Sequence, residues 1–309
     1  MTLSPRPMGE GAGGEGKSRT MINDNQTNTV YFSAKLREPK FADFCSELVT
    51  ILNRHHTSHH FLQNTNDIWC RDYMPVQVRE DVFIEYRYDP DYLLDRQGGK
   101  SKTYPDIVCE SISLKTVKTD IILDGGNVIK YGNTVIMTDK IIPENASKYL
   151  KADLLKKLGK LFETDNIILI PWIHADKKKE DYGHADGMVR FIDDSTVLVD
   201  NWYLRPDADY HEKKVIETLK RQHLEIVPLE FSRPLEKQSE DSWGYLNFLQ
   251  MRDLLLIPSF GIDQDKEAEL QFHRLFPDYS QKGQIEMINS KAIIRHGGVL
   301  NCISWNIQS

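Results

Sequence analysis

Apolar residues along this chain alternate between two spacings. From Thr29, Val30-Tyr31-Phe32 reads as a strand, Pro39 punctuates, and residues 41–52 place apolar side chains at helical spacing, the recurrence that marks an amphipathic helix. Beyond this the pattern repeats. A polar loop leads into a strand, a tight turn and a second strand at 124–137 and again at 184–199, and both read as hairpins. A third copy starts at Trp243-Gly244-Tyr245 and turns at Arg252-Asp253 into Leu254-Leu255-Leu256-Ile257. The turns at Asn133, Asp194 and Asp253 recur at about 60 residues, and a fixed period is the signature of a repeat architecture. Each hairpin precedes an amphipathic helix (143–162, 207–223, 263–276) and a short strand (167–170, 224–227, 284–287).

An earlier copy starts at Trp69-Cys70-Arg71-Asp72, turns near Glu80-Asp81 and returns through Val82-Phe83-Ile84, and Cys302 begins a truncated fifth. If the N-terminal strand and helix complete that last copy, the chain closes into a ring of five ββαβ units with no long free sheet edge. The alternative is a mixed α/β sheet with scattered loops. The ring makes a definite demand: the loops before each first strand converge on the axis, so Asp72, Asp124, His184, Asp186 and Cys302 meet.

Residues 1–27 are polar and glycine-rich, too poor in apolar surface to offset the entropy of ordering. They read as a disordered leader or an added extension with Met21 as an internal start, leaving 28–309 as a single catalytic domain. The histidines of His55-His56-Thr57-Ser58-His59-His60 could hold a metal through i, i+4 pairs on a helix, but a solvated helix end suits them better. Lys177-Lys178-Lys179-Glu180-Asp181 reads as a solvated loop or a flap over the site.

Composition narrows the classes. The 309 residues are 40% hydrophobic, enough for a substantial core. A net charge of −7 offers no basic field for nucleic acid and mildly suits a cationic ligand. Four cysteines (Cys45, Cys70, Cys109, Cys302) lie far apart with no C-x-x-C pair, indicating neither a zinc ribbon nor a disulfide framework. No run is long and apolar enough to span a bilayer. A cytoplasmic protein follows, with no membrane or nucleic-acid partner and the oligomeric state open.

The converging loops supply chemistry. A cysteine nucleophile needs a base or cation to favour its thiolate, and His184 is the candidate. His184 and Asp186 share one face if their segment is extended. Two carboxylates aimed at one pocket repel unless a cation lies between them, and a guanidinium, with its planar N–H fork, is such a cation. Asp72 and Asp186 could clamp it, with Trp69 stacking on an apolar stem.

At this point the residues resemble a family. Trp69-Cys70-Arg71-Asp72-Tyr73-Met74-Pro75 is similar to the W-x-R-D-x-G-P motif of agmatine deiminases and bacterial-type peptidylarginine deiminases, and Asp124-Gly125-Gly126-Asn127 to their E-G-G segment. His184-Ala185-Asp186 resembles their H-x-D, and Gly297-Gly298-Val299-Leu300-Asn301-Cys302 their G-G-G-N-I-H-C. The order agrees. The resemblance implies the five-bladed α/β propeller (pentein) of the guanidine-modifying superfamily and hydrolysis of a small cationic guanidino substrate without cofactor or metal. It implies Cys302, His184, Asp72 and Asp186 as catalytic, with Asp72, Asp186, Trp69, Asp124, Asn127 and Asn301 on the substrate. Met74 replaces a glycine, Asp124 a glutamate, His296 the first glycine, and Val299 and Asn301 replace asparagine and histidine before the cysteine. These changes flank the nucleophile and leave agmatine, arginine and peptidyl-arginine open as substrates. Free arginine would need a basic partner, for which Arg71, Arg87 and Arg190 are available. An amidinotransferase, or a binding module that no longer turns over, are the alternatives; a metalloenzyme built on the 55–60 histidines stands last.

Overall fold

The computed structural model describes residues 20–93, 101–172, 182–232 and 244–309; the 177–181 run lies outside them. Strand β1 (Thr29–Ser33), helix α1 (Ala42–Arg54) and strand β2 (Ser58–Leu62) come first. The short helix α2 (Cys70–Tyr73) leads into β3 (Val76–Arg79), β4 (Val82–Arg87), α3 (Pro105–Ser111) and β5 (Val117–Ile122). The next unit is β6 (Ile129–Tyr131), β7 (Thr134–Thr138), α4 (Ile141–Asn145), α5 (Lys151–Phe162) and β8 (Asn166–Ile170). After it come β9 (Val189–Phe191), β10 (Thr196–Asp200), α6 (Tyr210–Arg221) and β11 (Glu225–Leu229), then β12 (Leu249–Met251), β13 (Leu254–Ser259), α7 (Gln264–Leu275) and β14 (Ile285–Asn289). The last strand is β15 (Trp305–Ile307).

The described strands form five three-stranded sheets: β3-β4-β5, β6-β7-β8, β9-β10-β11, β12-β13-β14 and β15-β1-β2. In each, the first two strands pair antiparallel and the last two parallel. This is a five-bladed α/β propeller, and the ends close it, with Thr29 opposite Ile307 and Tyr31 opposite Trp305.

Burial explains the sequence pattern blade by blade. Middle strands are covered on both faces and read as unbroken apolar runs, as in Val135-Ile136-Met137 and Leu254-Leu255-Leu256-Ile257, all buried. The outermost strands are half exposed; β2 alternates along its length until the buried Leu62. Helix α1 turns Phe44, Cys45, Leu48, Ile51 and Leu52 inward, at the three-to-four-residue spacing of one helical face.

Three expectations change. The helix expected over 143–162 is two, α4 and α5, because the Asn145 side chain pairs with both the N–H and the carbonyl of Ile122 and fastens α4 to β5. His55 and His56 do end α1, but no i, i+4 histidine pair sits on a helix: His56 takes φ 52°, and His59 and His60 are neighbours in β2, on opposite faces. Residues 21–27, expected to be disordered, pack on the blades, since Met21 and Ile22 are buried. Met21 N–H donates to Gly132 O at 2.9 Å and Ile22 N–H to Val78 O at 3.0 Å. The asparagines that suggested disorder cap strand ends instead, Asn23 Oδ1 accepting from Gly132 N–H at 2.8 Å.

Candidate active site

Before four of the inner strands the chain makes one helical turn: α2 before β3, Gly125–Asn127 before β6, Ala185–Gly187 before β9 and Gly244–Leu246 before β12. The Cys302 turn precedes β15 in the same way, with Ser304 N–H donating to Asn301 O. The ring brings these turns together, and Asp72, Asp124, His184, Asp186 and Cys302 form one buried cluster.

Cys302, 6% exposed, donates its thiol to Asp186 Oδ2 at 3.5 Å. That oxygen also accepts from Asn301 Nδ2 at 2.7 Å and Asn247 Nδ2 at 2.9 Å. Asn247 in turn accepts from the backbone N–H of Cys302 at 3.1 Å and of Val299 at 3.2 Å. One asparagine therefore fixes the Cys302 backbone and its carboxylate neighbour together. Burial, reinforced by the Asp186 and Asp72 carboxylates, pushes the thiol well above its ordinary range, so the resting sulfur is protonated.

His184 lies between two carboxylates, Nδ1 at 3.5 Å from Asp72 Oδ1 and Nε2 at 3.0 Å from Asp124 Oδ2. The Asp124 contact is a hydrogen bond and the Asp72 contact an ion pair, and both favour imidazolium. Burial opposes that charge, but Asp72 and the hydrogen bond to Asp124 outweigh it and raise His184 to about 9. Asp72 is pulled both ways: burial and the Asp124, Asp186 and Asp67 charges outweigh His184 and bring it to about 7. The described contacts put Asp186, not His184, on the thiol, so resting His184 is an acid rather than the thiol's base.

Close approach dictates a glycine here. A Cβ on Gly126 would lie 2.6 Å from Asp72 Oδ1 and 2.7 Å from His184 Nδ1, inside any real carbon contact, while its N–H donates to Asp72 Oδ1 at 3.2 Å.

The other sequence candidates divide. Asp124, expected on the substrate, is engaged with His184, and the buried ammonium of Lys140 is 3.8 Å from it. Lys140 also pairs with Glu144 at 3.0 Å and Asp91 at 3.3 Å. Burial raises Glu144 to about 7 despite that partner. Asn127 Oδ1 accepts from Thr138 N–H at 2.8 Å and braces its own blade. Trp69 packs against Gly298, where a Cβ would collide with its ring. Asn301 holds Asp186. Arg71 and Arg190 line an axial cavity with the inner strands, and Arg87 pairs with Asp89 at 2.5 Å on a half-exposed face. Sequence reasoning missed Asn247 and Lys140. The repeat could have found Asn247, which stands two residues before β12 as Asn127 stands before β6.

Comparisons with known proteins agree with this fold. Residues 20–307 match the Porphyromonas-type peptidyl-arginine deiminase family. A Selenomonas ruminantium protein provisionally named an agmatine deiminase is 24% identical over 301 residues, covering 81% of this chain and 76% of the relative. The C. jejuni agmatine deiminase superposes with a TM-score of 0.72 at 18% identity, covering 94% of this chain and 96% of that one. The agmatine deiminase of Enterococcus faecalis gives 0.69 at 17% identity, over 93% and 95%. Among the described residues no helix is long and apolar enough to cross a membrane. The chain thus belongs to the Porphyromonas-type peptidyl-arginine deiminase family, and with it to the hydrolases that act on carbon–nitrogen bonds of amidines.

Proposed function

We propose that the protein deiminates a small guanidino compound, agmatine or a close relative, to a ureido product and ammonia through a covalent adduct on Cys302. The observation that carries this reading is a protonated Cys302 buried beside two carboxylates, Asp186 and Asp72, with His184 hydrogen-bonded to Asp124 and 3.5 Å from Asp72. His184 and Lys140 pair with Asp72 and Asp124, but among the described residues no side-chain cation pairs with Asp186 beside the thiol. A guanidinium supplies the charge, and between Asp72 and Asp186 it lowers the cost of thiolate formation.

In the first half-reaction the Cys302 Sγ–carbon bond forms and one carbon–nitrogen bond breaks. His184 gives its proton to the leaving nitrogen, and the thiol's proton leaves with the ammonia as ammonium, so a thiouronium cation and a neutral His184 remain. In the second, His184 takes a proton from water as its oxygen attacks the same carbon. The sulfur–carbon bond breaks, the ureido product leaves, and the water's second proton restores the thiol. Agmatine deiminases are among the relatives, and the C. jejuni enzyme is known with substrate bound, which supports agmatine.

Ammonia and ureido release from agmatine, arginine and peptidyl-arginine by the wild type and Cys302→Ala tests the proposal. Agmatine is expected to turn over fastest, with a loss of about 10⁴-fold or more in the variant; equal rates would remove the reading. Glycine or lysine added as acceptor separates hydrolysis from amidino transfer.

A further inference from the structure

The end of the axis beneath Cys302 is also built by the repeat. The second residue of each inner strand, Gln77, Lys130, Arg190, Gln250 and Asn306, lines a single cavity of about 30 Å³. That space suits a water molecule and is far too small for a substrate, so the axis is no second route into the site. Arg71 enters the same cavity from α2.

The two guanidiniums there touch the backbone that presents the nucleophile. Arg71 Nε donates to Asn301 O at 3.3 Å, its backbone N–H donates to Cys302 O at 3.1 Å, and its fork reaches Asn306 Oδ1. Arg190 donates to Phe248 O at 2.9 Å and Leu246 O at 3.4 Å, the carbonyls on either side of Asn247. Asn247 is the residue that holds the Cys302 N–H and Asp186.

The segment expected to be disordered supplies the opposing charge. Asp24 Oδ2 is 3.4 Å from Arg190, and Asn306 Nδ2 donates to Asp24 Oδ1 at 3.4 Å. Lys130 reaches Ile22 O in the same segment. Although burial pushes Asp24 up, Arg71, Lys130 and Arg190 hold it below the ordinary carboxylate range. Burial brings Lys130 down to about 8.

We propose that Arg71 and Arg190 are positioning residues for the nucleophile, clasping the backbone that presents Cys302 and Asn247, and that Asp24 is the counter-ion limiting the positive field they cast on the thiol. The proposal rests on Cys302 being the nucleophile. The charged groups that act on the thiol are Asp186 before β9, Asp72 on α2 and Arg190 on β9, while the Arg71 guanidinium lies on the adjoining Asn301 carbonyl. Asp24 acts from behind the two arginines.

The test is alkylation of Cys302 in the full chain by neutral iodoacetamide, followed at one pH by the mass of its peptide. Below its titration point a thiol reacts in proportion to its thiolate fraction, partly offset by the lower nucleophilicity of a less basic sulfur, so one pH unit is worth roughly three- to tenfold in rate. Asp24→Asn is expected to quicken labelling by about that factor, Arg190→Gln to slow it, and Arg190→Lys to stay near the wild type. Shifts of the same sign in Asp24→Asn and Arg190→Gln, or no shift in folded protein, would overturn the proposal, because a merely structural role cannot give opposite signs. Should Arg190→Gln fail to fold, Asp24→Asn decides: labelling unchanged or slower sinks the idea. Labelling is read independently of turnover, so a failure of Cys302 as nucleophile would show separately, as unchanged turnover in Cys302→Ala.

Discussion

The two ends of the propeller axis carry opposite charge. At the substrate end the turns before the inner strands gather Asp72, Asp124 and Asp186, with Glu144 behind them, against the cations of His184 and Lys140. At the far end Arg71, Lys130 and Arg190 meet Asp24. The far end is closed by a segment of the same chain. Among the described residues the substrate end has no cation between Asp72 and Asp186, and burial, with neighbouring carboxylates, raises Asp72 and Glu144 each to about 7. One end is satisfied by folding and the other only by a ligand, and that difference separates a seal from a site.

Damage at the two ends should therefore differ in kind. The largest expected effect is at the substrate end. Asp186→Asn removes a guanidinium acceptor and turns an amide donor toward Asn247 and Asn301, and kcat/KM for agmatine should fall by roughly 10²–10³-fold. A loss under tenfold would show that Asp186 only braces Asn247.

A middle-sized effect lies in the pH profile. Asp72 must be ionised to take the guanidinium, so kcat/KM should rise as pH climbs through about 7. His184 must keep its proton for the leaving nitrogen, so activity should fall through about 9. The two limbs belong to the coupled pair. Lys140→Met removes a positive charge 3.8 Å from Asp124, leaving the imidazolium better stabilised, and should move the alkaline limb upward by roughly one pH unit; Lys140→Arg should leave it in place. An alkaline limb that ignores Lys140→Met would disconnect Lys140 from His184.

The smallest effect on catalysis is expected at the sealed end. Met21→Ala empties a buried site and should cost about 2 kcal/mol of stability in denaturant unfolding, with activity per folded molecule falling far less than in Asp186→Asn. Unchanged stability would mean that residues 20–27 close nothing.

Much of this was legible before any coordinates. Turns at Asn133, Asp194 and Asp253 repeat because each blade uses the same hairpin, and middle strands such as Leu254-Leu255-Leu256-Ile257 announce burial on both faces. The candidate residues share one place in the unit, so the period that found the blades also predicted that Asp72, Asp124, His184, Asp186 and Cys302 would meet, as they do. What stayed hidden depends on contacts between blades. Lys140 follows β7 with no local signal and acquires meaning only from carboxylates on other elements. The segment 20–27 reads as disordered because its asparagines and Asp24 lack apolar company in sequence, yet their partners are strand ends and arginines contributed by distant blades. The break between α4 and α5 follows from one asparagine side chain that finds β5.

The most direct measurement compares Cys302 labelling by chloroacetamidine and by chloroacetamide, reagents that share a leaving group and differ in charge. If the resting thiol becomes a nucleophile only when a cation lies between Asp72 and Asp186, the cationic reagent should label roughly 100-fold faster, and Asp72→Asn and Asp186→Asn should each remove most of that preference. Equal rates in the wild type, or a preference that survives both substitutions, would contradict it.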